Sequence, residues 1–209
     1  MKKTLRNLLV VLVALTLAGF LRQPHDDRVA AHLREQRLLP EPIALDTREE
    51  LGQTGFAIAL GGLRPLIAAL LNLRAHVHWE NQEWYELEQT YDTVVALQPR
   101  IRYYWIVASF HLASNAYADY EDRPEIPDGR RERAQKEFFR KGIAFLERGI
   151  ETNPEDPRLW LELGSSLSQV WRPRDLERAA EAYKNAFRFS GHLQSQRQHV
   201  YCLSRVPGR

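Results

Sequence analysis

The sequence predicts an all-α fold: a short α-solenoid of about three helix–turn–helix repeats, preceded by an N-terminal membrane helix. Three observations carry this reading. A proline precedes a tryptophan by six residues twice, at Pro99–Trp105 and at Pro154–Trp160, so one chain joint recurs. From Leu66 onward, breakers cut the chain into helix-sized lengths, and no segment shows strand alternation or an Asn-Gly hairpin turn. Leu8 to Leu21 is a run of 14 residues without a charge, behind the basic leader Met1-Lys2-Lys3-Thr4-Leu5-Arg6.

The length of 209 residues leaves room for about one to two domains. A content of 44% hydrophobic and 27% charged residues belongs to a folded chain, and a net charge of +2 does not suggest a general nucleic-acid binder. Cys202 is the sole cysteine, which excludes an internal disulfide. The chain divides into a signal anchor or transmembrane helix over 1–22, a connector over 23–55 and a helical repeat domain over 56–209.

The leader has two readings. At ~1.5 Å per residue the uncharged run spans ~21 Å, short of a ~30 Å hydrocarbon core. It is either the apolar part of a cleaved signal peptide, with Thr16-Leu17-Ala18 at the cleavage positions, or an uncleaved anchor whose Arg6 and Arg22 reach up to the interfaces. The anchor is favoured, because the best cleavage position leaves only a short apolar run before it. Both readings keep Lys2, Lys3 and Arg6 in the cytoplasm and send the rest across a bacterial inner membrane into the periplasm. The anchor gives a single-pass membrane protein; cleavage gives a soluble periplasmic one. No cysteine follows the run, so a lipoprotein is excluded.

In the connector, Asp26 and Asp27 are placed to cap a short helix with the stripe Val29, Leu33 and Leu38, and Pro40 and Pro42 enforce extended chain. Thr54 to Leu73 is apolar, but a central Arg64 argues against a second membrane span. Gly61-Gly62 with Pro65 reads as a turn and a helix start. A first helix then covers Leu66 to Glu80. Asn81 is expected to cap a second, Gln82 to Leu97, which ends before Pro99. A third covers Ile101 to Tyr120. The charged loop Glu121 to Gly129 contains Pro124 and Pro127, and a fourth helix runs from Arg130 to Thr152. Asp156 caps a fifth, with Pro157 at its first position and Trp171 near its end. Pro173 breaks the chain. A sixth helix covers Asp175 to Ser190, Gly191 stops it, and a polar tail helix spans Gln194 to Leu203.

Trp160-Leu-Glu-Leu163-Gly164-Ser-Ser-Leu167 matches the opening W-x₂-L-G-x₂-Y, with Leu in place of Tyr. The chain here resembles the tetratricopeptide repeat (TPR) family, over about Ala68 to Leu193. With Trp160 at the family's Trp position, Ala179, Tyr183 and Ala186 fall on the second helix after three extra residues. With Trp105 there, Ala108, Ser109 and Leu112 follow, and Gly142, Leu146 and Gly149 come after an insertion of 21 residues. Counting back 34 residues reaches Leu71, with Ala75 at the small position and Leu87, Tyr91 and Val94 on its partner helix. Small residues let paired helices approach, and large ones fill the space above and below. The long insertion and the degenerate first repeat make the stack irregular.

The resemblance implies a face lined by the first helix of each repeat, and a binding groove there. Its positions are Asn72, His76, Trp79 and Glu80, then Tyr103, Ile106, Phe110 and Ser114, then Arg158, Leu161, Ser165 and Gln169. Aromatic anchors with a polar rim suit a peptide or helix, unless the aromatics pack against the protein's own connector or insertion. Arg158 is the one basic residue among them. His76 and Glu80 offer two metal ligands where three or four are needed, so no metal is expected. The run Arg130, Arg131, Arg133, Lys136, Arg140 and Lys141, diluted by Glu132 and Glu137, reads as a solvated face, the alternative being a surface for an acidic partner or anionic lipid headgroups. The acids Asp119 to Asp128 also read as solvated. No phosphate loop, nucleophile elbow or zinc-protease signature is present.

The expected function is that of a non-catalytic, membrane-tethered periplasmic TPR scaffold that binds a membrane-associated protein partner, with no cofactor, nucleic acid or small-molecule substrate. The alternative is a constitutive structural subunit of a large membrane complex, its N-terminal helix packed among other transmembrane helices.

Overall fold

The computed structural model describes residues 62–206, together with Pro24, Arg28, Val29, Ala31, His32 and Glu35. Two compact units divide the chain, Met1–Pro42 and Ile43–Arg209. In the first, the described residues are helical, and the Asp26-Asp27 pair expected to cap a helix there lies outside the described residues. The leader, the predicted anchor and most of the connector lie outside the described residues.

In the second unit every described element is helical. In chain order they are α1 (Arg64–Glu80), α2 (Trp84–Leu97), α3 (Arg102–Phe110), a π-helical segment (His111–Ala116), α4 (Tyr117–Glu121), α5 (Asp128–Thr152), α6 (Pro157–Ser168), α7 (Leu176–Ser190) and α8 (Leu193–Leu203). The expected third helix is thus one rod whose middle widens. Each rod packs on its chain neighbour: α1 on α2, α3 to α4 on α5, α6 on α7 and α7 on α8, while α3 also meets α6. No described helix is long and apolar enough to cross a membrane.

The local causes are visible at the ends. Pro65 sits in the first turn of α1, where its missing N–H costs nothing. Asp156 accepts from the Arg158 N–H and Asp175 from the Arg178 N–H, each satisfying one orphan donor at the start of α6 and α7. Gly191, at φ 69°, supplies the left-handed residue that closes α7.

Asn81 does not cap α2. It ends α1, and the Gln82 and Glu83 N–H groups return to Trp79 and His78 carbonyls with Gln82 at φ 60°, a Schellman closure without glycine. That closure uses up the short turn, so α2 starts behind Glu83 with no side-chain cap. Nor does α6 reach Trp171. It stops at Ser168, because Gln169 turns extended and the Asp175 N–H returns to the Leu167 carbonyl.

The core follows the pairings. Trp84, Leu87, Tyr91, Val94 and Leu97 of α2 are buried with Ala68 and Ala75 of α1. Phe138, Phe145 and Leu146 of α5 are fully buried, as are Leu112 in the π segment and Leu159 and Leu167 in α6. At ~25 cal/mol per Å² of apolar surface these interlocked side chains supply the main stabilisation. The expected polar tail helix is docked: Cys202 and Ser195 are buried, and the His199 Nδ1–H donates to the Ala180 carbonyl.

Candidate binding groove

Three glycines set how closely the rods approach. A Cβ on Gly142 would lie 2.5 Å from the Ala113 Cβ, one on Gly149 2.9 Å from the Trp105 ring, and one on Gly164 3.0 Å from the Tyr183 ring. The rod from α3 to α4 is therefore pressed onto α5, and α6 onto α7. The two joints noted in the sequence close alike. The Trp105 indole N–H donates to the Pro99 carbonyl at 2.9 Å, and Trp160 to the Pro154 carbonyl at 2.8 Å.

With one side packed this way, α3, the π segment and α6 share a cavity of about 450 Å³. Ile106, Val107 and Phe110 line it from α3, Ser114 from the π segment, and Ser165 and Ser166 from α6. The turn after α6 closes one end with Gln169, Trp171 and Arg172. Phe110 is 56% and Trp171 71% exposed, so two large aromatic surfaces face solvent at this rim.

Beside it lies an aromatic cluster from α1, α2 and the π segment. The His76 ring lies tilted 5.1 Å from Trp79 and Trp79 tilted 5.6 Å from His111, while His111 stacks on Tyr91 at 6.1 Å. The Tyr91 hydroxyl donates to Asn72 Oδ1. Burial, and secondarily His76, pushes the His111 pKa down to about 4, so the ring is neutral near pH 7. The Asn115 amide donates to its Nδ1, which leaves the ring proton on Nε2.

The residues read from the sequence therefore fall into two neighbouring groups. Ile106, Phe110, Ser114, Ser165 and Gln169 line the cavity. Asn72, His76 and Trp79 join the aromatic cluster, with Glu80 3.5 Å from His76. Tyr103 is exposed and edges against Tyr104, while Leu161 is half-buried against the core. Arg158 does not line the cavity. It is exposed and pairs with Glu162 one turn along α6.

The basic residue in the groove is Arg172, and sequence reasoning missed it together with Trp171 and His111. A helix assumed to run to Trp171 hides the turn. Pro173 restricts only the backbone of the residue before it, so it marks a break near Arg172 and not the stop at Ser168.

A larger cavity of about 650 Å³ lies between α5 and the other side of the same turn, floored by Phe139, Ile143 and Leu167. Of the four cations that line it, Arg178 is paired with Glu147 and Asp175 and Lys136 with Glu132, while Arg140 and Arg174 are exposed at its rim. Half of the expected basic face is matched internally: Arg131 to Asp128, Lys136 to Glu132, and Lys141 to Glu88 and Glu137. Among the described residues no group of three or more His, Cys, Asp or Glu is arranged to hold a metal ion. Asp119 is not a solvated acid. It accepts from the Trp84 indole and pairs with Arg123 at 2.6 Å.

Compared with known proteins, the chain matches no family model, and no curated protein is similar to it.

Proposed function

We propose that this protein is a non-catalytic, membrane-tethered scaffold built on a short TPR-like stack, whose groove between α3 and α6 holds a segment of a partner protein. The observation that carries the proposal is the cavity itself, with exposed Phe110 and Trp171 at its rim and neutral hydroxyls within. Aromatic anchors flanked by polar groups are the composition of peptide-binding surfaces. The matching Trp105 and Trp160 bonds support the repeat reading, because two equivalent positions then make one equivalent contact. The basic leader and the uncharged run support the tether in an inner membrane, with this domain in the periplasm. A tether raises the effective concentration of nearby membrane partners, so a groove of modest affinity suffices.

A photoreactive residue at Phe110 of the full-length chain, expressed in its membranes, tests this. A defined protein adduct at Phe110, absent when the probe stands at Tyr201 on α8, is the expected result. No adduct at Phe110, or equal adducts at both positions, overturns it.

One observation favours the second reading, a constitutive subunit. Leu63, Leu66, Leu70, Leu73 and Val77 recur at heptad spacing and are 46 to 64% exposed along the outer side of α1. Such a seam fits a partner helix of an assembled complex.

A further inference from the structure

Arg172 is half-buried in the turn between α6 and α7. Its Nη1 donates to the Ser114 hydroxyl at 3.0 Å across the cavity, and its guanidinium carbon lies 5.9 Å from the Tyr117 ring centre. Its Nε is buried with no hydrogen-bond partner. No carboxylate lies within ion-pair distance of it among the described residues. Glu162 lines the same cavity but is taken by Arg158.

Three other sunken cations among the described residues are treated differently. Arg123, with its side chain 28% exposed, has Asp119; Arg131, at 27%, has Asp128; and Lys141, at 26%, has Glu88 and Glu137. A guanidinium partly withdrawn from water without a counter-charge loses hydration that one neutral hydroxyl and a ring face return only in part. Burial accordingly lowers the Arg172 pKa from its ordinary value. An arriving carboxylate finds that desolvation already paid and gains a charge-assisted bond in a partly water-excluded site.

We infer that Arg172 is the acid-recognition element of the groove, binding the side-chain carboxylate of an Asp or Glu within a partner protein's segment. This rests on the groove reading above and names the chemistry of the partner. Ser114 bonds the guanidinium and Gln169 lines the same cavity as a second neutral polar group, while Ile106, Phe110 and Trp171 form the apolar flank. The segment recognised is therefore an acidic residue next to an apolar or aromatic one, about the size that a cavity of this volume accepts.

The test uses the Phe110 photoprobe in the full-length membrane protein, in four versions: Arg172 retained, Arg172→Lys, Arg172→Gln and Arg172→Glu. Mass spectrometry maps the cross-linked segment of the partner. The inference expects an internal Asp or Glu in that segment, an adduct yield reduced about tenfold or more in Arg172→Gln, and substantial yield in Arg172→Lys. It also expects Arg172→Glu to regain the adduct when the partner's acid is changed to Lys. Thermal unfolding of each variant checks the fold; if Arg172→Gln does not fold, the charge swap carries the comparison, and folded Arg172→Glu that keeps the adduct with the parent acid, or fails to regain it with Lys there, overturns the inference. Undiminished adduct in folded Arg172→Gln overturns the inference and leaves the groove reading standing. A segment without an internal acid, or one held by its C-terminal carboxylate alone, overturns it as well. No adduct with Arg172 retained overturns the groove reading, and this inference with it.

Discussion

Gly142 faces the π segment across the tightest approach of any described glycine. Any Cβ there would meet Ala113 N at 2.6 Å and the Ser109 carbonyl at 2.8 Å, and both are backbone atoms that cannot swing aside. Gly142→Ala should cost about 1–3 kcal/mol, since the α3–α5 packing must open. Gly129, in the first turn of α5, would meet nothing within 4 Å. Gly129→Ala should stabilise by about 0.5–1 kcal/mol through lost unfolded-state freedom. Urea unfolding of the two variants side by side checks the contrast, and equal midpoints would refute it. His111 is the other decisive residue. Its pKa is pushed down to about 4 in the fold, against about 6.5 in an unfolded chain. Between those values the unfolded state binds the extra proton. The stability from keeping the ring neutral is therefore complete above about pH 6.5 and is lost as pH falls toward 4. His111→Gln should flatten the pH dependence of the urea midpoint across that window, and a slope unchanged from the parent would remove His111 as its cause.

At the scale of elements, Asp119 ties the insertion to the first hairpin. Its carboxylate takes the Trp84 indole N–H at 2.6 Å and the Arg123 guanidinium, and Arg123 also donates to the Gln82 side chain. The Asp119 side chain is 9% exposed, so its removal leaves a buried indole donor and a sunken cation without their partner. Asp119→Ala should cost about 2–4 kcal/mol, measured by chemical unfolding, whereas Asp122→Ala in the exposed loop should change little. The type and order of the described helices were legible in the sequence because their ends are written in local chemistry: Pro65, Asp156 with Pro157, Asp175 and Gly191 each satisfy or refuse a specific backbone group. Three features were not. The Schellman closure at Gln82 uses a residue with no left-handed preference, so Asn81 looked like the better cap. The π widening at His111–Ala116 answers Gly142, which lies far along the chain. The stop at Ser168 depends on a carbonyl bonded from beyond Pro173. Half of the groove was readable, because α3 and α6 keep the helical period. Arg172 and Trp171 were not, because they sit on the turn whose start the pattern misplaced.

For the whole molecule, the balance between a detachable scaffold and a permanent subunit turns on the outer side of α1. Ala68 and Ala75 of that helix are fully buried against the fold, while Leu70 and Leu73 are 58% and 64% exposed. From Gly62 to Trp79 the chain carries no carboxylate, and its only lysine or arginine residues there are Arg64 and Arg74. So long an acid-free stretch is unusual for a surface meant only for water. Polar replacement of exposed leucines removes little packing, so Leu70→Ser with Leu73→Ser should leave the melting temperature within about 2–4 °C of the parent. The two readings then diverge. A scaffold that binds through its groove keeps its Phe110 adduct in the double variant, and this is the expected result. A constitutive subunit instead loses its place along α1, so the detergent-extracted assembly would shrink to the lone chain on sizing while Phe110 adducts disappear. The latter pattern, with the fold intact, would make the aliphatic row the principal interface and reduce the groove to a secondary contact.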